Sequence, residues 1–168
     1  MRDATTTRRE GDSARHDDEM QEIASSNHVW RLARQQSWQD ASATKILGAA
    51  ALLVLARLAL VLLGFDRTLK LVRRLSGGRR RDQIRDEDLA AAVYTVAAAS
   101  AFVPYSRKCL DRSLVLFYQL KRHGVPVALC VGANARPFMA HAWVEYNGQP
   151  VNEQQEMVKG LSFLLEVR

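Results

Sequence analysis

Cys109 and His141 are the two residues whose types and settings could make a nucleophile. Cys109 opens a helix-like run, Cys109-Leu-Asp-Arg-Ser-Leu-Val-Leu-Phe-Tyr-Gln-Leu120, and His141 sits in a strand-like run, Ala140-His-Ala-Trp-Val-Glu-Tyr146. The first-turn N–H groups of a helix lack intrahelical acceptors and lie at the positive end of its dipole. Both effects favour a thiolate; Arg107 and Lys108 push the same way, and Asp111 opposes them. The same N–H groups suit an oxyanion in acyl transfer. An imidazole that takes the thiol proton completes an activated nucleophile. The plainer readings are a small apolar residue on the face of Leu110, Leu114 and Phe117, and a structural strand histidine. For either residue alone the plainer reading leads; the pairing reverses it. Cys130, between Leu129 and Val131, is expected to be buried and inert. His16, His28 and His123 have no comparable context. No H-x-x-x-H or C-x-x-C spacing occurs, so no metal or other cofactor is expected.

A third residue should orient the imidazole, and the hairpin register selects it. With Asn147-Gly148 as a two-residue turn, Tyr146 faces Gln149, His141 faces Gln154, and Asn152 points to the histidine's face. With Tyr146-Asn147-Gly148 as a bulged three-residue loop, Glu153 lies opposite His141. A one-residue slip flips every side chain, so the two are alternatives. Either can be a plain exposed strand residue instead.

The elements that must position these residues follow from pattern. Residues 1–27 are polar, with almost no large apolar group before Met20, and cannot repay the entropy of ordering. Residues 28–40, with Val29, Trp30, Leu32 and Trp38, suggest a short helix at the domain edge. Residues 42–64 read as a helix apolar nearly all round, and Ile46 to Phe65 is about the length of a bilayer span. Arg57, just past its centre, is costly in hydrocarbon. Two readings stand: a helix buried on several sides, or a membrane-associated helix followed by cytoplasmic basic residues. The buried helix is the reading adopted. Phe65-Asp66 breaks the run, and residues 67–75 form a basic amphipathic helix with Leu71 and Leu75 one turn apart. Residues 76–81 are a linker. Asp86-Glu-Asp88 starts an Ala-rich helix to about Ser100.

After Phe102-Val-Pro104 the helix from Cys109 runs to about Arg122 and stops at His123-Gly124. Residues 126–131 are an apolar strand and 132–137 a loop. Residues 139–146 and 149–153 make a hairpin, and 161–167 a last strand. The whole is α+β, helices first and then a small antiparallel sheet. Residues 1–40 are a tail, and 41–168 one domain with a helical part (41–100) and a catalytic part (101–168).

The net charge of +6 is local. Residues 67–85 hold eight basic side chains against Asp82 alone, while residues 86–168 balance at eight against eight. With no aromatics among the arginines and no binding module, a nucleic-acid partner is not expected. The polar N-terminus shows no signal peptide, and two cysteines make no disulfide framework, so a cytoplasmic location is expected.

These residues bear a resemblance. Cys109-Leu-Asp-Arg-Ser-Leu-Val-Leu116, Gly124-Val125, Leu129-Cys-Val-Gly132, Phe138-Met-Ala-His-Ala-Trp-Val-Glu145, Gly148 and Val151-Asn-Glu153 resemble the lasso peptide biosynthesis B2 proteins, the transglutaminase-like leader peptidases of ribosomal peptide maturation. The resemblance covers about residues 43–155. It implies a papain-like fold and a Cys-His-acid triad of Cys109, His141 and Glu153, with Asn152 as the alternative third member. The family commonly carries Asp at the acid position, so Glu153, one methylene longer, is a departure. The resemblance implies cleavage of a precursor peptide between leader and core. Its implied partners are a small leader-recognition protein, the B1 protein, and an ATP-dependent lasso cyclase. Residues 1–40 are too short and polar to be the leader-recognition module, so a stand-alone B2 form is implied. Residues 43–85 are the expected surface for that partner or for the peptide. Two other classes compete: a different thiol acyl-transfer enzyme, such as a transglutaminase or amidase, and a non-enzymatic membrane-associated interaction protein built on residues 46–65.

Overall fold

The computed structural model describes residues 28–36, 42–77, 83–104, 109–136 and 138–168. The tail at 1–27, Trp38, the arginine triplet at 79–81, and Arg107 and Lys108 lie outside the described residues.

Among the described residues five helices precede the sheet: α1 (His28–Gln35), α2 (Ala43–Leu63), α3 (Phe65–Leu75), α4 (Asp86–Phe102) and α5 (Cys109–Arg122). Then come β1 (Val127–Ala135), β2 (Phe138–Tyr146), β3 (Gln149–Pro150), α6 (Gln155–Lys159) and β4 (Ser162–Val167). The sheet is antiparallel in the order β3-β2-β1-β4. The architecture is the expected α+β.

α5 is the element between the two layers. One side packs on α2 and α4, the other on β1 and β2. Leu114, Val115, Leu116, Phe117 and Leu120 are all buried, and together they join Leu89, Val93 and Val96 of α4 to Val127, Leu129 and Val144 of the sheet. Burying a side chain such as Phe117 stabilises by roughly 1.5–3 kcal/mol. α4 can sit this close because Ala90 and Ala99 leave its surface flat; both are fully buried. α1 packs on α4 through Val29 and Ala33. α5 ends as its sequence implies. Gly124 takes φ +79°, its N–H bonds Lys121 O, and the Val125 N–H bonds Leu120 O at 3.0 Å. This is a Schellman closure with Leu120 and Val125 both buried beside it.

α2 departs from the expectation of a helix buried on several sides. Among the described residues it is covered along one stripe. Ala49 and Leu53 are fully buried, and Ile46, Ala50, Leu52, Ala56 and Leu60 pack partly on the core. Leu47, Leu55, Leu58, Val61 and Leu62 are each at least half exposed. The break before α3 falls at Gly64, with φ +77°, one residue ahead of Phe65-Asp66. α3 packs by Thr68, Leu69 and Val72, leaving Leu71 and Leu75 on the outside.

β1 is longer than expected. It continues through Ala135, pairing Gly132 with His141 and Ala135 with Phe138, where a loop from residue 132 was expected. Gly132 is needed there for closeness. A Cβ at that position would stand 3.0 Å from both Leu161 Cβ and Trp143 Cη2, and the β1–β4 ladder shifts register at Val131/Gly132. A glycine that reads as a breaker is here the point where β4 and Trp143 close on β1.

Candidate active site

The hairpin has the two-residue turn. Tyr146 pairs with Gln149 and Glu145 with Pro150, while Asn147 and Gly148 take φ +52° and +77°, the geometry of a type I′ turn. The bulged loop through which Glu153 was expected to reach His141 is absent. The chain leaves the ladder after Pro150 instead, and residues 151–153 bend. Freed from strand alternation, Glu153 swings onto the histidine. Its Oε2 stands 2.8 Å from His141 Nε2.

Asn152 does not approach His141 as the alternative third member would. Its Oδ1 accepts the Val144 N–H at 2.8 Å, and its Nδ2 donates to Ser113 Oγ at 2.9 Å. The supposed choice between Asn152 and Glu153 held only for a strand that continued, and β3 stops after two residues.

Cys109 is the first residue of α5 and is partly buried. Its thiol is held below the ordinary value, first by a hydrogen bond with His141, and further by the N–H groups of Ala142 and Leu110; burial opposes them. Because Glu153 takes Nε2, the Nδ1 side of the ring is left for the sulfur. His141 is raised to about 9, first by its bond with Cys109 and next by its bond with Glu153. Glu153 is lowered, chiefly by His141, with help from the Gln154 N–H and the charge of Arg112. Each member favours the charged form of the next, which is the electrostatic signature of a thiolate–imidazolium pair with an orienting carboxylate.

Two supports were not foreseen. Trp143 is fully buried; its Nε1 donates to Glu145 Oε1 at 2.8 Å. Its ring lies parallel to the His141 ring at a 6.5 Å centroid distance, and Phe163 meets its other side edge-on at 5.3 Å. Strand alternation already places His141, Trp143 and Glu145 on one face, and that was the available signal. The second is Arg57. It forms an ion pair with Asp111, 1% exposed, at 3.9 Å. The cation near the middle of the apolar helix thus answers the buried acid of the nucleophile's first turn, a pairing 54 residues apart that no local pattern reveals.

Cys130 lies in the second, smaller core with Ala128, Trp143, Val158 and Leu161. Burial, followed by the charge of Glu145, pushes its thiol up to about 12, so it stays protonated. Among the described residues no three His, Cys, Asp or Glu side chains gather to hold a metal ion.

A cysteine at a helix start, answered by a histidine on the adjoining antiparallel sheet, is the arrangement of a thiol acyl-transfer fold, and the family comparison agrees. The model of the transglutaminase-like superfamily matches residues 52–166, and the chain belongs to that superfamily. The chain is also 32% identical over 63 residues to the microcin J25-processing protein McjB of Escherichia coli. That stretch is 38% of this chain and 30% of McjB, so the match spans less than a third of the curated relative. No solved structure matches the chain. The resemblance read from the sequence is thereby supported by a relative named for processing microcin J25.

Proposed function

We propose that this chain is a cysteine peptidase that removes the leader from a ribosomally made lasso precursor peptide, with Cys109 as nucleophile, His141 as general base and acid, and Glu153 as the orienting acid. The observation that carries the proposal is the linked set Cys109–His141–Glu153, in which the thiol is lowered and the imidazole raised. The similarity to a microcin J25-processing protein supports a ribosomal peptide precursor as the substrate class.

In this reading the Cys109 thiolate attacks the scissile carbonyl carbon, and the resulting oxyanion lies near the N–H groups of the α5 first turn. The C–N bond then breaks. His141 gives its proton to the departing amine of the core, leaving the leader as a thioester on Cys109. His141 next takes a proton from water, which attacks the thioester and frees the leader carboxylate. Glu153 keeps the ring aligned and stabilises its charged state.

The leader-recognition B1 protein is placed on the exposed side of α2, beside the basic helix α3 with Arg67, Lys70, Arg73 and Arg74. Leu63 and Leu71 share a groove with those four cations. The domain organisation expected from sequence, one unit from residue 41 onward, is carried into the proposal.

The test is cleavage of a precursor peptide in the presence of its leader-recognition protein by the parent, Cys109→Ala and His141→Ala. Each variant is expected to lose at least about a thousandfold in kcat/KM. Retained cleavage by either overturns the mechanism. A crosslinked product in place of a free leader carboxylate identifies a transglutaminase instead.

A further inference from the structure

We infer that Ser113 and Asn152 are positioning residues that clamp the open edge of β2 to the start of α5, so that the thiol, imidazole and carboxylate are held in one arrangement. The inference rests on the nucleophile reading above and adds to it the device that sets the geometry.

The argument starts from backbone groups that need partners. β3 leaves β2 after Pro150, so among the described residues no strand lies beside the outer edge of β2 at Ala142 and Val144. Buried backbone N–H and C=O groups must nonetheless be paired. Val144 O accepts the Val151 N–H at 2.9 Å, the last backbone bond on this edge. The Val144 N–H goes to Asn152 Oδ1 at 2.8 Å. Ala142 O accepts the Ser113 hydroxyl at 2.8 Å, and the Ala142 N–H is among the groups that hold the Cys109 thiol low. Side chains thus stand where a third strand would have run.

Two of those side chains come from one helix face. Cys109 and Ser113 are four apart on α5, so they lie one above the other; Ser113 bonds the C=O of Ala142, and the N–H of that same residue favours the Cys109 thiolate. That residue adjoins His141. Asn152, which adjoins Glu153, joins the cluster through Nδ2 to Ser113 Oγ at 2.9 Å. The cluster therefore touches a neighbour of every proposed catalytic residue: Ser113 one turn below Cys109, Ala142 next to His141, Asn152 next to Glu153. Ser113 is fully buried, so water cannot replace its hydroxyl, and the alternative to these bonds is a shifted strand. A shift well under 1 Å between the helix start and β2 is enough to weaken a sulfur–imidazole contact.

The test uses the full chain without substrate. The alkylation rate of Cys109 by iodoacetamide is followed against pH by peptide-level mass spectrometry, with Cys130 as the slow internal reference. In the parent the midpoint should lie below that of a free thiol. In Ser113→Ala it should rise by about one pH unit, so that alkylation at pH 6 slows about tenfold. Ser113→Thr, which keeps the hydroxyl, should restore most of the loss. If Ser113→Ala does not fold, Asn152→Ala decides on the same readout, with the same direction expected. Thr68→Ala removes another fully buried hydroxyl, bonded to Gly64 O on α3, and should lower the melting temperature while leaving the profile in place. Ser113→Ala or Asn152→Ala with a lowered melting temperature but the parent's profile would show a purely structural cluster and overturn this inference alone. A parent midpoint at the free-thiol value would remove the nucleophile reading and this inference with it.

Discussion

The helices α2 and α5 are both rich in leucine, and they solve opposite problems. α5 hides its apolar residues on two sides and carries polar groups, Asp111 and Ser113, into the same interior. There each finds a partner: Arg57 for the acid, Ala142 and Asn152 for the hydroxyl. α2 is apolar nearly all round and buries fully only Ala49 and Leu53. Polarity is thus gathered inside, where the chemistry is proposed, and apolar surface is left outside. The difference teaches that hydrophobicity along this chain marks two tasks. In α5 it makes a rigid seat for a nucleophile, and in α2 it makes a surface larger than a stable soluble core requires.

The contrast can be broken at three depths. The deepest is the site itself. Glu153→Gln should lower precursor cleavage about a hundredfold or more. Because Glu153 raises His141, the alkaline limb of the rate profile, set near 9 by His141 in the parent, should move to lower pH in the variant. An unmoved limb would mean that Glu153 does not act through the imidazole.

The next depth is the ion pair between the helices. Arg57→Met keeps the length and apolar stem of the side chain but removes a cation from a buried carboxylate. Urea unfolding should show a loss of about 2 kcal/mol, below the upper range for buried pairs because Arg57 is itself 35% exposed. An unchanged midpoint would reduce the pair to a neighbourly contact.

The shallowest is the outer face. Leu55→Glu together with Leu62→Glu should change stability by less than about 0.5 kcal/mol, since neither residue is buried. Cys109 alkylation should be unaffected. Cleavage stimulated by the leader-recognition protein should nonetheless fall, and undiminished stimulation would remove α2 as the docking face.

Much of the fold is legible in the residues because local rules agree with the outcome. Gly124 ends α5, the acidic triplet at 86–88 starts α4, and Asn147-Gly148 makes the tight turn. The start of α5 and the strand around His141 are legible for the same reason. What escaped is what depends on contacts distant in sequence. β1 runs past Gly132 because Trp143 and Leu161 need the space a side chain would fill, while local rules read glycine as a stop. α6 was not foreseen: five residues with a single buried valine carry too little pattern. The approach of Glu153 to His141 was expected from family resemblance and attached to the wrong hairpin register. Alternation cannot describe residues that have left the ladder. Arg57 was read as a cost within an apolar helix, and its answering acid was read separately as an opponent of the thiolate.

The shortness of β3 turns residues 149–153 into a ruler. Gln149 and Pro150 continue the ladder, Val151 gives its last backbone bond, Asn152 lends an amide, and Glu153 delivers a carboxylate. Each duty needs a different chemistry and falls to the next residue in line. Losing one residue between Gly148 and Asn152 would bring a carboxylate to the Val144 N–H and a glutamine to His141. Gaining one would leave Asn152 where the carboxylate belongs. Chain length in this segment is therefore constrained as tightly as residue identity, and insertions or deletions there should be far less tolerable than substitutions.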